Sequence, residues 1–182
     1  MTTAFLLILL GVFARLNPEH LHNLVPLGAI ALYAGARLSK RYALAVPLVI
    51  MVATDLVIDL VYYPQFRRGP FDPTRLAVYG SYLAIVLLGR WTSRDAKFAM
   101  PVGMAVVGSL LFFVVTNFAV WASGVSLQPG SIAGLIACYG DAVPFYRATL
   151  VADLFGAVVL FGLDAVLRPV IEARQLAAAE AR

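Results

Sequence analysis

Phe98 to Ala122 contains no ionisable side chain. Few structures are open to such a run. A helix that crosses a bilayer needs about 20 mainly apolar residues, within a range of about 17–25. Tyr42–Tyr63 and Thr149–Leu167 reach that length as well. Ala4–Leu16, Leu24–Leu38 and Leu76–Trp91 are shorter apolar segments. These extend into their polar flanks, or the first two form a hairpin that stops short of a full crossing; either choice returns the chain to the same side.

Composition agrees with a lipid-facing exterior. The 182 residues are 62% hydrophobic and 13% charged, where a soluble domain carries about 25% charged residues. The expectation is an all-α, polytopic helical bundle with six transmembrane segments. Residues 1–168 would form one transmembrane domain and 169–182 a cytoplasmic tail. Thr2–Ala14 lacks a basic leader and a small-residue cleavage context, so it reads as a retained helix. With both termini inside, Arg37, Lys40, Arg41, Arg90, Arg94, Lys97, Arg168, Arg174 and Arg182 fall on the cytoplasmic side. Arg15, Arg67, Arg68, Arg75 and Arg147 fall outside, which makes nine against five of the 14 basic residues. That bias favours both termini in the cytoplasm. The basic residues flank apolar runs and form no aromatic-interleaved patch, which sets nucleic acid aside.

Prolines and glycines punctuate the segments. Pro26, Pro47 and Pro101 read as early-turn prolines, and Pro169 as the end of the last helix. Between Ser123 and Arg147, Ser131 is placed to cap a short helix over 131–139, closed by Gly140, that would lie on the outer face as a lid. Gly28, Ala31 and Gly35 form a small-residue stripe that permits close helix packing, within the bundle or with a partner.

Asp55 and Asp59 lie one turn apart inside an apolar run, on one helix face. A carboxylate at bilayer depth costs about 2.5–3.5 kcal/mol on insertion scales. Both should therefore turn inward, and mutual repulsion would favour a proton on one of them. In the six-segment layout Asp59, Asn117 and Asp153 come to similar depth, about 6–8 Å from the outer ends of their helices at 1.5 Å per residue. The candidate ligand-binding set is Asp55, Asp59, Asn117, Trp121, Asp153, Tyr79, Tyr139 and Arg147, with the two tyrosines offering rings for stacking. His20, His22, Asn23, Tyr62, Tyr63, Cys138 and Asp141 are candidate walls from the loops. An internal hydrogen-bonded lock is the competing role for Asn117 and Thr116. Arg147 could pair with Asp141 or Asp153, and Asp164 with Arg168 at the inner end. His20 and His22 alone fall short of a metal site, and one cysteine makes neither a disulfide nor a zinc site. No catalytic motif is present, so no enzyme activity, cofactor or resident metal is expected.

Leu24-Val25-Pro26-Leu27-Gly28-Ala29-Ile30-Ala31-Leu32-Tyr33-Ala34-Gly35-Ala36 resembles a signature of a small bacterial membrane family described as candidate transport proteins. So do Val46-Pro47-Leu48 followed by Asp55-Leu56, Thr116–Trp121, Gly134–Tyr139, Ala142–Arg147 and Thr149–Leu154. That family is similar in layout to the substrate-binding (S) components of energy-coupling factor vitamin transporters. The resemblance implies a multi-pass protein of the bacterial inner membrane that captures a small vitamin-like solute from outside. It also implies docking on a transmembrane coupling subunit with ATPases. The alternative is a structural accessory subunit of a larger membrane complex.

Overall fold

The computed structural model describes residues 2–16, 24–62, 69, 71–92 and 98–180, with backbone alone at 172, 174–176 and 178–180. His20, His22, Asn23, Tyr63, Arg67, Arg68, Arg94 and Lys97 lie outside the described residues, and with them the expectations attached to them. The described chain is all-helical. Its order is α1 (Thr2–Leu16), α2 (Leu27–Arg37), α3 (Lys40–Val57) continued by a wide π-type turn (Ile58–Tyr62), α4 (Pro73–Arg90), α5 (Ala99–Ala122) and α6 (Ile132–Glu180).

Helices consecutive in the chain run in opposite directions. Asp59 meets Arg75 and Asp55 meets Tyr79, so α3 and α4 are antiparallel. Val114 meets Tyr139 and Asp153 meets Ser109, so α5 and α6 are antiparallel. α1 and α3 run the same way, since Gly11 touches Ile50 and Arg15 reaches Asp55. At one end of the bundle, here called the upper end, α1, α3 and α5 finish and α2, α4 and α6 begin.

α2 sits at the centre and touches all five other helices. Every residue from Leu27 to Gly35 is buried. At 1.5 Å per residue its 11 residues reach about 16 Å, half of an apolar bilayer core of about 30 Å. Its small side chains let neighbours approach to backbone contact. A Cβ on Gly35 would collide with the Val86 carbonyl of α4, and one on Gly89 with the Leu32 carbonyl of α2. Gly28 faces the Asp153 carboxylate of α6 in the same way. The small-residue stripe therefore packs the interior.

The core is built of small residues such as Ala29, Ala31, Ala34, Ala43, Ala105 and Ala157, filled out by Ile30, Leu32, Ile50 and Ile85. Large apolar side chains face outward, among them Phe13, Leu56, Val61, Phe118, Phe155 and Val166. Close small-residue packing inside and bulky apolar groups outside is the pattern of helices associating in lipid. Three helices, Lys40–Tyr62, Ala99–Ala122 and Ile132–Ile171, are long and apolar enough to cross a membrane.

Local signals account for three of the helix ends. Asp72 caps α4, accepting the N–H groups of Thr74 and Arg75 at 3.0 and 3.1 Å, with Pro73 in the first turn. Gly124, at φ 71°, turns the chain out of α5 in the left-handed region that glycine enters freely. Ser131 accepts the Gly134 N–H at 3.1 Å and caps α6 as the sequence indicates. The short lid closed by Gly140 is not formed. α6 runs unbroken through Gly140, Pro144 and Pro169, so neither the lid nor the helix stop at Pro169 holds. Aromatic contacts with α5 flank Gly140 and Pro144: Tyr139 and Tyr146 both pack on Phe113. Pro47 also sits well inside α3 and not in its first turn.

Candidate functional site

Polar residues gather in three places in the upper half. The first joins α1, α3 and α4. Arg15 at the end of α1 donates to Asp55 at 2.6 Å and reaches the Met51 sulfur at 2.5 Å. Tyr79 donates to the other oxygen of Asp55 at 2.8 Å. Arg75 bridges the aspartates, with Nε 3.5 Å from Asp55 and Nη2 2.7 Å from Asp59. The wide turn after Val57 sets Asp59 opposite Arg75. Such turns recur at functional positions in helices. The two carboxylates were expected to repel each other, yet two guanidiniums stand against them, and the charges of these four described side chains cancel. The Arg15 and Arg75 partners were hidden because both come from segment ends that the sequence assigned only by side.

The second place is Asp153, 2% exposed on α6. One carboxylate oxygen accepts the Ala29 N–H at 3.1 Å, and the other accepts the Ser109 hydroxyl at 2.6 Å. α2 has no side-chain cap of its own, since Pro26 precedes it. The free N–H groups and positive dipole end of a helix attract an anion. A carboxylate from a helix distant in sequence performs that role here. Tyr82 of α4 packs on Phe112 at 5.1 Å.

The third place is a cavity of about 220 Å³ between α5 and α6, with Ser109 at its base. Phe112, Phe113, Phe145 and Tyr146 supply apolar walls, while Thr116, Asn117 and Thr149 supply polar atoms. Each polar group has already spent a proton on its own helix. Thr116 donates to the Phe112 carbonyl at 2.7 Å, Asn117 to Phe113 at 2.8 Å and Thr149 to Phe145 at 3.1 Å. The hydroxyl lone pairs and the Asn117 Oδ1 remain as acceptors, and the second Asn117 N–H remains as a donor. The lining holds no charged side chain.

Of the residues nominated from sequence, Asn117 alone lines this cavity, and Asp153 stands one contact behind it through Ser109. Asp55, Asp59 and Tyr79 belong to the ionic cluster. Trp121 donates to the Pro129 carbonyl at 3.1 Å and ties down the α5–α6 loop. Tyr139 donates to the Val114 carbonyl at 2.7 Å. Arg147 is exposed. Its suggested partners are taken otherwise: Asp141 accepts from Gln128 at 2.8 Å, and Asp153 is engaged as above. The nominated residues therefore do not converge on one chamber. Ser109, Phe112, Phe113, Phe145 and Tyr146 were missed. The signal was present in part, because Ala105, Ser109, Phe112 and Thr116 recur at the 3–4 spacing of one helix face.

At the lower end Asp164 accepts from Arg37 Nε at 2.6 Å and from Tyr33 at 3.2 Å. Among the described residues, no three His, Cys, Asp or Glu side chains gather as a metal site would require. The chain belongs to DUF6580, a family of unknown function whose model matches residues 1–176. No curated protein and no solved structure matches it.

Proposed function

We propose that this DUF6580 member is a multi-pass protein of the bacterial inner membrane, with both termini cytoplasmic, that binds a small solute from outside. Its place is the cavity between α5 and α6. One observation carries the reading: a chamber of about 220 Å³ presents three open acceptors, on Thr116, Asn117 and Thr149, between aromatic walls. Ligand sites are mostly apolar with a few placed polar groups and commonly measure about 300–1,000 Å³. This one suits a compact solute. Three acceptors, a single remaining Asn117 N–H and no cation favour a neutral or cationic molecule that offers N–H or O–H donors over an anion.

The alternating helix directions support six membrane segments, with short α2 enclosed by the others. The basic-residue bias supports the orientation. Asp153 holds the α2 N-terminus and the Ser109 floor together, so it would position the site without touching the solute. Docking on a coupling subunit with ATPases, as the S-component-like layout suggests, would supply energy for uptake.

The test is a thermal-shift and native mass-spectrometry screen of purified protein against compact amines, amides and polyols. A binder is expected whose affinity falls about tenfold with Asn117→Leu and with Thr149→Val, the scale of one hydrogen bond lost. Exposed Arg147→Gln should change nothing. A screen in which no such compound binds, or binding indifferent to both cavity variants, defeats the proposal.

The zero-sum ionic cluster favours a second reading, a structural accessory subunit whose polar groups lock the bundle. Stable co-purification with a larger membrane complex, together with a solute-free cavity, would select it.

A further inference from the structure

A charge stands one side chain behind the floor of the chamber between α5 and α6. Ser109 lines the base and donates its proton to Asp153 Oδ2 at 2.6 Å, which leaves the Ser109 lone pairs for the chamber. Asp153 is 2% exposed, and its other oxygen accepts the Ala29 N–H at 3.1 Å. Two donors facing the two oxygens hold the carboxylate in its ionised form. Among the described residues no cation pairs with it: Asp55 and Asp59 take Arg15 and Arg75, and Asp164 takes Arg37. The positive end of α2 offsets about half of a unit charge, so about half is left. Arg147 is exposed and does not line the chamber. Aromatic rings complete the surround, with Phe112, Phe113, Phe145 and Tyr146 in the walls and the Phe113 and Tyr146 ring centres 4.7 Å apart. Such rings attract an organic cation.

We infer that the chamber takes a compact organic ammonium ion, on which Asp153 acts through Ser109 as a counter-charge. The inference rests on the solute-chamber reading and narrows its substrate class from neutral or cationic to cationic. Thr116, Asn117 and Thr149 offer acceptors to the ammonium N–H groups, and the rings replace part of its water shell. A nitrogen donating to Ser109 Oγ would stand about 5 Å from the carboxylate, one further hydrogen bond of about 2.9 Å away. Half a charge at that distance, with an effective dielectric constant of about 20, amounts to about tenfold in affinity. A neutral molecule of the same shape gains the walls and the acceptors but not that attraction, and an anion is repelled.

The experiment titrates the full chain in mild detergent with isopentylammonium, isopentanol and isovalerate, which share one branched tail and differ in head-group charge. Calorimetry against empty micelles reads each affinity. The wild type should bind the ammonium ion about tenfold more tightly than the alcohol, and isovalerate least. Asn117→Leu should weaken the ammonium ion and the alcohol together. Asp153→Asn should weaken the ammonium ion about tenfold more than the alcohol, whereas a merely structural Asp153 would weaken both by one factor. The wild-type comparison needs no variant, so it decides the matter even where Asp153→Asn fails to fold. Equal affinity for the ammonium ion and the alcohol, both lowered by Asn117→Leu, overturns the inference and leaves the chamber reading standing. Ammonium binding indifferent to Asn117→Leu overturns it too. So does failure of all three probes to bind, after which the wider solute screen judges the chamber separately.

Discussion

Single residues decide how charge is tolerated inside this bundle. Asp153 is anchored by a backbone N–H and a hydroxyl from two other helices. Asp153→Ala should lower stability by about 1–3 kcal/mol, the cost of orphaned buried donors, with Asp153→Asn losing less. Unfolding in micelles measures both, and an unchanged midpoint would refute the anchoring role. The ionic cluster makes a different claim, because its charges cancel in pairs. Removing one partner from a buried pair costs about 3–5 kcal/mol. Arg15 and Asp55 keep 22% and 11% exposure, so about 1–3 kcal/mol is expected for Arg15→Met. Arg15→Met with Asp55→Leu should recover most of that loss, because Arg75 and Asp59 still balance. A double variant no better than the single would show that Tyr79 and Arg75, not charge balance, set the cost.

At the scale of elements, α2 is the piece on which packing depends. Gly35 and Gly89 bring α2 and α4 to backbone contact, so Gly35→Ala and Gly89→Ala should each destabilise by about 1–3 kcal/mol through overpacking. Gly103 in α5 has open space around it. Gly103→Ala should therefore stabilise slightly, by about 0.5–1 kcal/mol from helix propensity. Equal effects at the three positions, read from thermal midpoints, would contradict the close-approach account. The apolar segments were legible because hydropathy and length are local properties. Ser131 was legible as chain punctuation for the same reason. The continuity of α6 through Gly140 and Pro144 was not, because α5 offsets the local helix-breaking tendency there by packing alongside. The cap on α2 was equally hidden, since Asp153 lies 124 residues from Ala29 and no spacing rule links them.

For the whole molecule, the inward turn of Asp55, Asp59 and Asp153 was legible from the apolar runs that hold them, since an apolar surround penalises unpaired charge. Their partition into separate clusters did not follow, because depth is readable from sequence while azimuth around the bundle is set by packing. The same alternation of helix directions fixes a topological expectation. In a Cys138→Ser background, single cysteines at Thr3 and Ala177 should label from the same side of the membrane, and a cysteine at Ser126 from the other. Labelling of Thr3 and Ala177 from opposite faces would remove the six-segment arrangement and the outward-facing cavity with it.

A central helix capped from near the far end of the chain also constrains biosynthesis. When Leu27–Arg37 leaves the ribosome, the carboxylate that will quiet its exposed amides has not yet been translated. The segment is too short to settle across a bilayer unaided. In the proposed membrane setting it would have to wait until α6 arrives to close the assembly. Truncations that end before Asp153 should consequently be cleared as unfinished protein, while those ending shortly after Ile171 should accumulate.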